Sequence, residues 1–182
     1  MLEAIRSTKT RILVDETYIN YLFPAPTLEK WAGPIPNLFV LRSLSKTLAH
    51  SGCRVGYMVG ATDELDWFNR LTPPWNVSSF AQIAAIRALE DPNYYDERYG
   101  QTHALRRDLA CRIQKTGYEV KEGVNGVLVS VQDAEGLVQD MASKGLYIRN
   151  TGRTAPSLGN EWVRIAVKDP DTQDRMLSKL FG

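Results

Sequence analysis

Cysteine is scarce in this chain: two residues in 182, Cys53 and Cys111, at no spacing that suits a metal or a redox pair. A disulfide framework is excluded, and two free thiols point to a reducing compartment, with the cytoplasm expected. Histidine is equally sparse. His50 and His103 lack partners at ligand spacing, so no metal is expected. An excess of one charge is missing too. The formal net charge of +1 leaves no electrostatic footprint for nucleic acid or a membrane surface. No apolar run approaches the roughly 20 residues of a membrane span, and residues 1–6 lack the apolar core of a signal peptide. There are no repeats and no low-complexity tracts. What remains is ordinary, with 43% hydrophobic and 24% charged residues. That is the balance of a soluble globular chain with room for one domain, or for one domain and part of another.

Hydrophobic patterning predicts an α/β fold. Ile12-Leu13-Val14, ending at Asp15, reads as a buried strand, as does Leu38-Phe39-Val40-Leu41 after the turn-rich Gly33-Pro34-Ile35-Pro36-Asn37. Residues 55–60 read as a third. Helices are predicted over 63–71 and 79–90, and Pro92 opens another that runs to Thr116, where Gly117 suits its stop. Beyond it, strands are predicted at 118–120, 127–131, 146–149 and 162–167, with Asn125-Gly126 as a turn signal. Helices are predicted over 133–144 and after Asp169-Pro170. Residues 1–90 thus form part of one larger sheet, 91–116 a connecting helix, and 117–182 a small α/β domain. Trp31, Trp67, Trp75 and Trp162 read as packing anchors.

Three pieces of the first segment belong together. Asp15-Glu16-Thr17-Tyr18 follows one strand, Ser43-Leu44-Ser45-Lys46 follows the next, and Arg54 opens the third. Ligands in open α/β sheets sit beyond the carboxyl ends of the strands. Only residues 47–53 separate Lys46 from Arg54, too few for a parallel crossover, so the third strand is predicted antiparallel, starting at the rim that carries the lysine. A carboxylate, hydroxyls, an amine and a guanidinium would converge there. By residue type they suit pyridoxal phosphate (PLP). Lys46 supplies the amine for the cofactor aldehyde and Asp15 a partner for the ring nitrogen. Tyr18 offers a phenol for the 3-oxygen, and Ser43, Ser45 and Arg54 offer phosphate donors. Lys46 taken alone reads as a solvated loop residue; it is the set that points to the cofactor.

Asp-Glu-x-Tyr, Arg-Ser-Leu-Ser-Lys and Gly-Cys-Arg-Val-Gly-Tyr, in this order, resemble the PLP signature of class I/II aminotransferases, in particular that of the histidinol-phosphate aminotransferase branch. Pro73-Pro74-Trp75-Asn76-Val77-Ser78-Ser79 resembles the loop that follows. The resemblance implies a fold-type-I PLP-transferase: the end of the large domain, with its mixed, mostly parallel sheet, and the small C-terminal α/β domain. It implies Lys46 as the cofactor lysine and proton shuttle. It also implies Arg164 as the clamp for a substrate α-carboxylate, Arg149 as a contact for a substrate phosphate, and Asn125 near the substrate. The activity it implies is amino transfer between an amino acid and a 2-oxo acid in amino-acid biosynthesis.

Two related enzymes fit the same motifs: a decarboxylase resembling threonine-phosphate decarboxylase, and a specialised-metabolism enzyme acting on a free or guanidino amino acid. Full members of the family carry roughly as much sequence again before Ile12. The chain is accordingly expected to be a fragment or one half of a split enzyme, acting as a homodimer or paired with an N-terminal half. An inactive half that binds a partner is the non-enzymatic alternative.

Overall fold

The computed structural model describes residues 1–22 and 25–181. The chain divides into two compact units, Met1–Asp96 and Glu97–Gly182.

In the first unit, β1 (Ile12–Asp15) and β2 (Leu38–Ser43) pair in parallel, from Ile12 opposite Leu38 to Asp15 opposite Leu41. β3 (Gly56–Val59) lies on the other side of β2 and runs antiparallel, with Ser43 opposite Gly56. This is the sense that the short 47–53 link requires. Because side chains alternate across a sheet, Ile12, Val14, Leu38, Val40 and Val59 share one face. There they pack with Ile5 of α1 (Leu2–Arg6), Ala32 of α2 (Glu29–Ala32) and Ile35. The other face is covered unevenly. Phe39 is buried against Phe68 of α4 (Thr62–Leu71), with ring centroids 5.5 Å apart, whereas Leu13 is 58% exposed. β1 was expected to be buried throughout; as the edge strand of the described sheet it is half-buried at Ile12 and Val14 and exposed at Leu13 and Asp15.

A short helix, α3 (Leu44–Thr47), follows β2 directly. α5 (Ser79–Leu89) supports it. Ser78 caps α5 by accepting from Ala81 N at 3.2 Å, and Ala85 and Ala88 pack with Leu44 and Leu48. The inward stripe of α5 is thus its alanines, while Phe80, Ile83, Ile86 and Leu89 are exposed. Trp75 departs from the expected packing role: it is 95% exposed, at a positive φ of 58°.

α6 (Pro92–Gln114) runs on into the second unit. There β4 (Val120–Glu122), β5 (Gly126–Ser130), β6 (Arg149–Asn150) and β7 (Trp162–Ala166) form an antiparallel sheet in the order β4-β5-β7-β6. Val127, Val129, Val163 and Ile165 point into a core completed by Leu109 and Ile113 of α6, Met141 of α7 (Ala134–Ser143), and Met176 and Leu177 of α8 (Pro170–Phe181).

The strand predicted over 146–149 reduces to Arg149–Asn150. Residues 144–146 instead end α7. Gly145 takes a φ of +76°, its N–H donates to Ala142 O at 2.9 Å, and Leu146 N donates to Met141 O at 2.9 Å. This is a Schellman stop with its apolar residue, Leu146, tucked into the core. No described helix is long and apolar enough to cross a membrane, and no group of metal-ligating side chains occurs among the described residues.

Candidate active site

Strand direction assembles the rim of the first unit. β1 and β2 both end there, at Asp15 and Ser43, and antiparallel β3 begins there, at Gly56. Gly56 permits the close approach: a Cβ at this position would lie 2.6 Å from Arg42 O and 3.4 Å from Ser43 Cα. Ser43 then caps α3, its Oγ accepting from Ser45 N at 3.3 Å. Lys46 lies in the last turn of that helix. Its side chain is exposed, and its amine carries no hydrogen bond or ion pair among the described residues. Asp15 is also exposed. Its Oδ1 accepts from Thr17 N at 2.8 Å and from the Thr17 hydroxyl, while Oδ2 has no partner among the described residues. Tyr18 is exposed beside Tyr21, with ring centroids 6.4 Å apart.

The register thus brings Asp15, Ser43 and the Lys46 turn to one rim. Arg54 falls two residues short of β3, in a turn at a φ of 53°, and its Nη1 donates to Ser51 O at 2.8 Å within its own loop.

The sheet's opposite face at this rim holds a polar network that motif reading missed. Glu16 is buried. Its Oε1 accepts from Leu28 N at 2.7 Å, and its Oε2 accepts from the Thr27 hydroxyl at 2.6 Å and from Arg42 Nη1 at 3.2 Å. Arg42 also donates to Asn20 Oδ1 and lies 3.5 Å from Glu29 Oε2. Tyr57, opposite Arg42 in register, donates its hydroxyl to Glu29 at 2.7 Å. Burial and that hydrogen bond push the Tyr57 phenol up to about 12. The signal was available: in alternating strands, Glu16, Arg42 and Tyr57 fall on the face opposite Asp15 and Ser43.

The second unit carries an arginine pair. Arg164 on β7 stands directly opposite Arg149 on β6 and Leu128 on β5, on the face away from the valine core. Like charges directly opposite each other destabilise a sheet, and an anion held between them would relieve that repulsion. Arg164 Nη2 donates to Asn125 Oδ1 at 2.8 Å, so Asn125 orients this guanidinium. Gly126 permits the close approach of β7 here: a Cβ on it would lie 2.6 Å from Ile165 O and 3.4 Å from Arg164 Nη2.

Chemically, the rim offers an uncommitted amine, an uncommitted carboxylate oxygen, a phenol, two hydroxyls and a guanidinium. The second unit offers paired bidentate donors for carboxylate or phosphate. The family model for aminotransferase class I and II matches residues 1–180. Histidinol-phosphate aminotransferase 1 of Dechloromonas aromatica (strain RCB) is 28% identical over 172 residues, covering 93% of this chain and 47% of that protein. The crystal structure of the histidinol-phosphate aminotransferase from Clostridium acetobutylicum superposes with a TM-score of 0.88 at 26% identity, covering 98% of this chain and 55% of that one. The histidinol-phosphate aminotransferase from Sinorhizobium meliloti, solved in complex with PLP, shares the fold with a TM-score of 0.80 at 23% identity, covering 92% of this chain and 47% of that one. The chain therefore spans about half the length of these relatives, and it belongs to the aminotransferase class I and II family.

Proposed function

We propose that this chain carries the lysine-bearing part of a PLP-dependent aminotransferase that moves an amino group between an amino acid and a 2-oxo acid. The observation that carries the reading is the shared rim, where the ends of two parallel strands and the start of an antiparallel third gather Asp15, Ser43 and the Lys46 turn. Because the chain covers 47% of a relative such as the Dechloromonas enzyme, the activity is assigned to an assembly that also contains polypeptide equivalent to the rest of it. That polypeptide is either joined to this chain or separate, and the assembly is a homodimer or a pairing of halves.

The residues present fit the cofactor on their availability as well as their type. The Lys46 amine is uncommitted, and Asp15 keeps one carboxylate oxygen open after binding Thr17. When bound, PLP supplies an aldehyde that condenses with amines and a pyridinium ring that takes up the electrons released at the substrate α-carbon. Lys46 holds the cofactor and then moves the proton at the α-carbon through Nζ. The open oxygen of Asp15 keeps the ring nitrogen protonated, and the Tyr18 phenol donates toward the 3-oxygen. Ser43, Ser45 and Arg54 bind the phosphate, Arg54 by exchanging its Ser51 carbonyl for a charged acceptor. Arg164, oriented by Asn125, takes the substrate α-carboxylate, and Arg149 takes a second anionic group such as a phosphate. Asn125 thereby serves the substrate through Arg164.

The test is a PLP titration of the chain, alone and with polypeptide equivalent to the rest of its relatives. A visible absorbance band is expected, trapped by borohydride as an adduct on Lys46 and lost in Lys46→Ala. A band that survives the substitution, or no band in either condition, overturns the reading. Formation of 2-oxo acid supports amino transfer, whereas carbon dioxide release from a phosphorylated amino acid would reassign the chain to a decarboxylase.

A further inference from the structure

We infer that Tyr21 is a positioning residue for Lys46, its hydroxyl tying the lysine-bearing turn to the Asp15–Tyr18 segment. The inference rests on the reading of Lys46 as the cofactor lysine and adds a residue that no motif contains. α3 has four residues, so its last carbonyls cannot find partners within the helix. Tyr21 supplies one: its hydroxyl donates to Lys46 O at 3.1 Å.

The turn needs outside support. It leaves α3 through Ala49 at a φ of 59° and reaches β3 through Arg54 at a φ of 53°, conformations that L-residues adopt at a cost. Tyr21 itself is firmly based. It ends the single 3-10 turn Ile19–Tyr21, in which Ile19 N donates to Glu16 O at 3.0 Å and Tyr21 N to Tyr18 O at 3.1 Å. Asn20 in the same turn accepts from Arg42, and Glu16 N donates to Leu41 O at 2.9 Å. Residues 16–21 thus form a strap. One end continues the strand that carries Asp15, the middle is pinned to β2, and the far end holds the carbonyl of the residue whose amine captures the cofactor. The separation between the ring-nitrogen partner and the lysine is set through this strap.

Tyr21→Phe removes the hydroxyl and keeps the ring beside Tyr18, so the fold is not at risk. In hydrogen exchange of the chain without PLP, amides at residues 44–50 are expected to exchange about fivefold faster, the equivalent of the roughly 1 kcal/mol of a net hydrogen bond. In the PLP titration, half-saturation is expected to rise about fivefold. The pH midpoint of the Lys46-dependent band is expected to move by about 0.7 pH unit, which matches that factor. Unchanged exchange overturns the inference. So does faster exchange with the same half-saturation and pH midpoint, because the tie would then be structural only. A Lys46-dependent band indifferent to Tyr21→Phe sinks the positioning role alone. A band that is absent, or that persists in Lys46→Ala, sinks the cofactor assignment and the positioning role together.

Discussion

Arg42→Met probes the network behind the rim. The Arg42 side chain is 13% exposed and that of its partner Glu16 only 3%. Removing one member of a buried ion pair strands the other, at a cost of about 3–5 kcal/mol. Here the stranded carboxylate keeps two donors, Leu28 N at 2.7 Å and the Thr27 hydroxyl at 2.6 Å, which places the expected loss near the lower end, about 3 kcal/mol. Glu29 adds little, because its side chain is 28% exposed and water can take the place of the guanidinium. Glu16→Gln retains an acceptor for Leu28 N and carries no charge. The double variant Arg42→Met/Glu16→Gln should therefore recover stability relative to Arg42→Met, with a coupling of at least about 1 kcal/mol. Urea unfolding midpoints of the four proteins measure both quantities. A loss below about 1 kcal/mol for Arg42→Met, or strictly additive effects, would refute the claim that this network is a closed, buried unit.

Gly56→Ala should cost about 1–3 kcal/mol, because the new methyl meets Arg42 O at 2.6 Å and backbone cannot swing aside as a side chain can. Gly52→Ala, with nothing within 4 Å, is the matched control and should be near neutral in the same thermal melts. Acid should weaken the second unit. Asp133 is held below the usual carboxylate range by the Gly136 N–H and Asn160, Glu135 by Asn150 and Gln139, and Asp169 by the Thr172 N–H. Groups depressed in the folded state contribute stability above their unfolded values, about pH 4, and lose it as pH falls through the lower folded values. Hydrogen exchange at the start of α7 should accelerate across that window. Asp133→Asn should flatten the dependence, and an unchanged slope in that variant would contradict the assignment.

Much of the fold was legible because it follows from chain length and period. The seven-residue link 47–53 forbids a crossover helix, and β3 runs antiparallel. Alternation at Val127, Val129, Val163 and Ile165 marks the inner face of the second sheet and leaves Arg164 on the other. What failed was local. Leu146-Tyr147-Ile148 has the composition of a strand, but Gly145 at positive φ makes Leu146 the apolar end of a helix stop, and composition does not register that difference. The large residues of α5 have helical spacing, yet its alanines face inward. Spacing predicts that a helix exists; which stripe it buries depends on how closely a neighbour such as α3 must approach.

The candidate site divides in the same way. Asp15, Tyr18, Ser43, Ser45, Lys46 and Arg54 stood out because their functional groups suit one ligand, so chemistry alone could select them. Glu16, Asn20, Tyr21 and Arg42 touch protein, and their meaning lies in partners 11 to 26 positions away, such as Thr27 for Glu16 and Lys46 for Tyr21. Each sits within three residues of a candidate site residue. The strand period that turns Asp15 and Ser43 to one side of the sheet turns Glu16 and Arg42 to the other. A ligand rim at the end of a sheet therefore comes with a reverse face, and polar residues found there, where apolar ones would be expected, mark the supports that hold the rim in register.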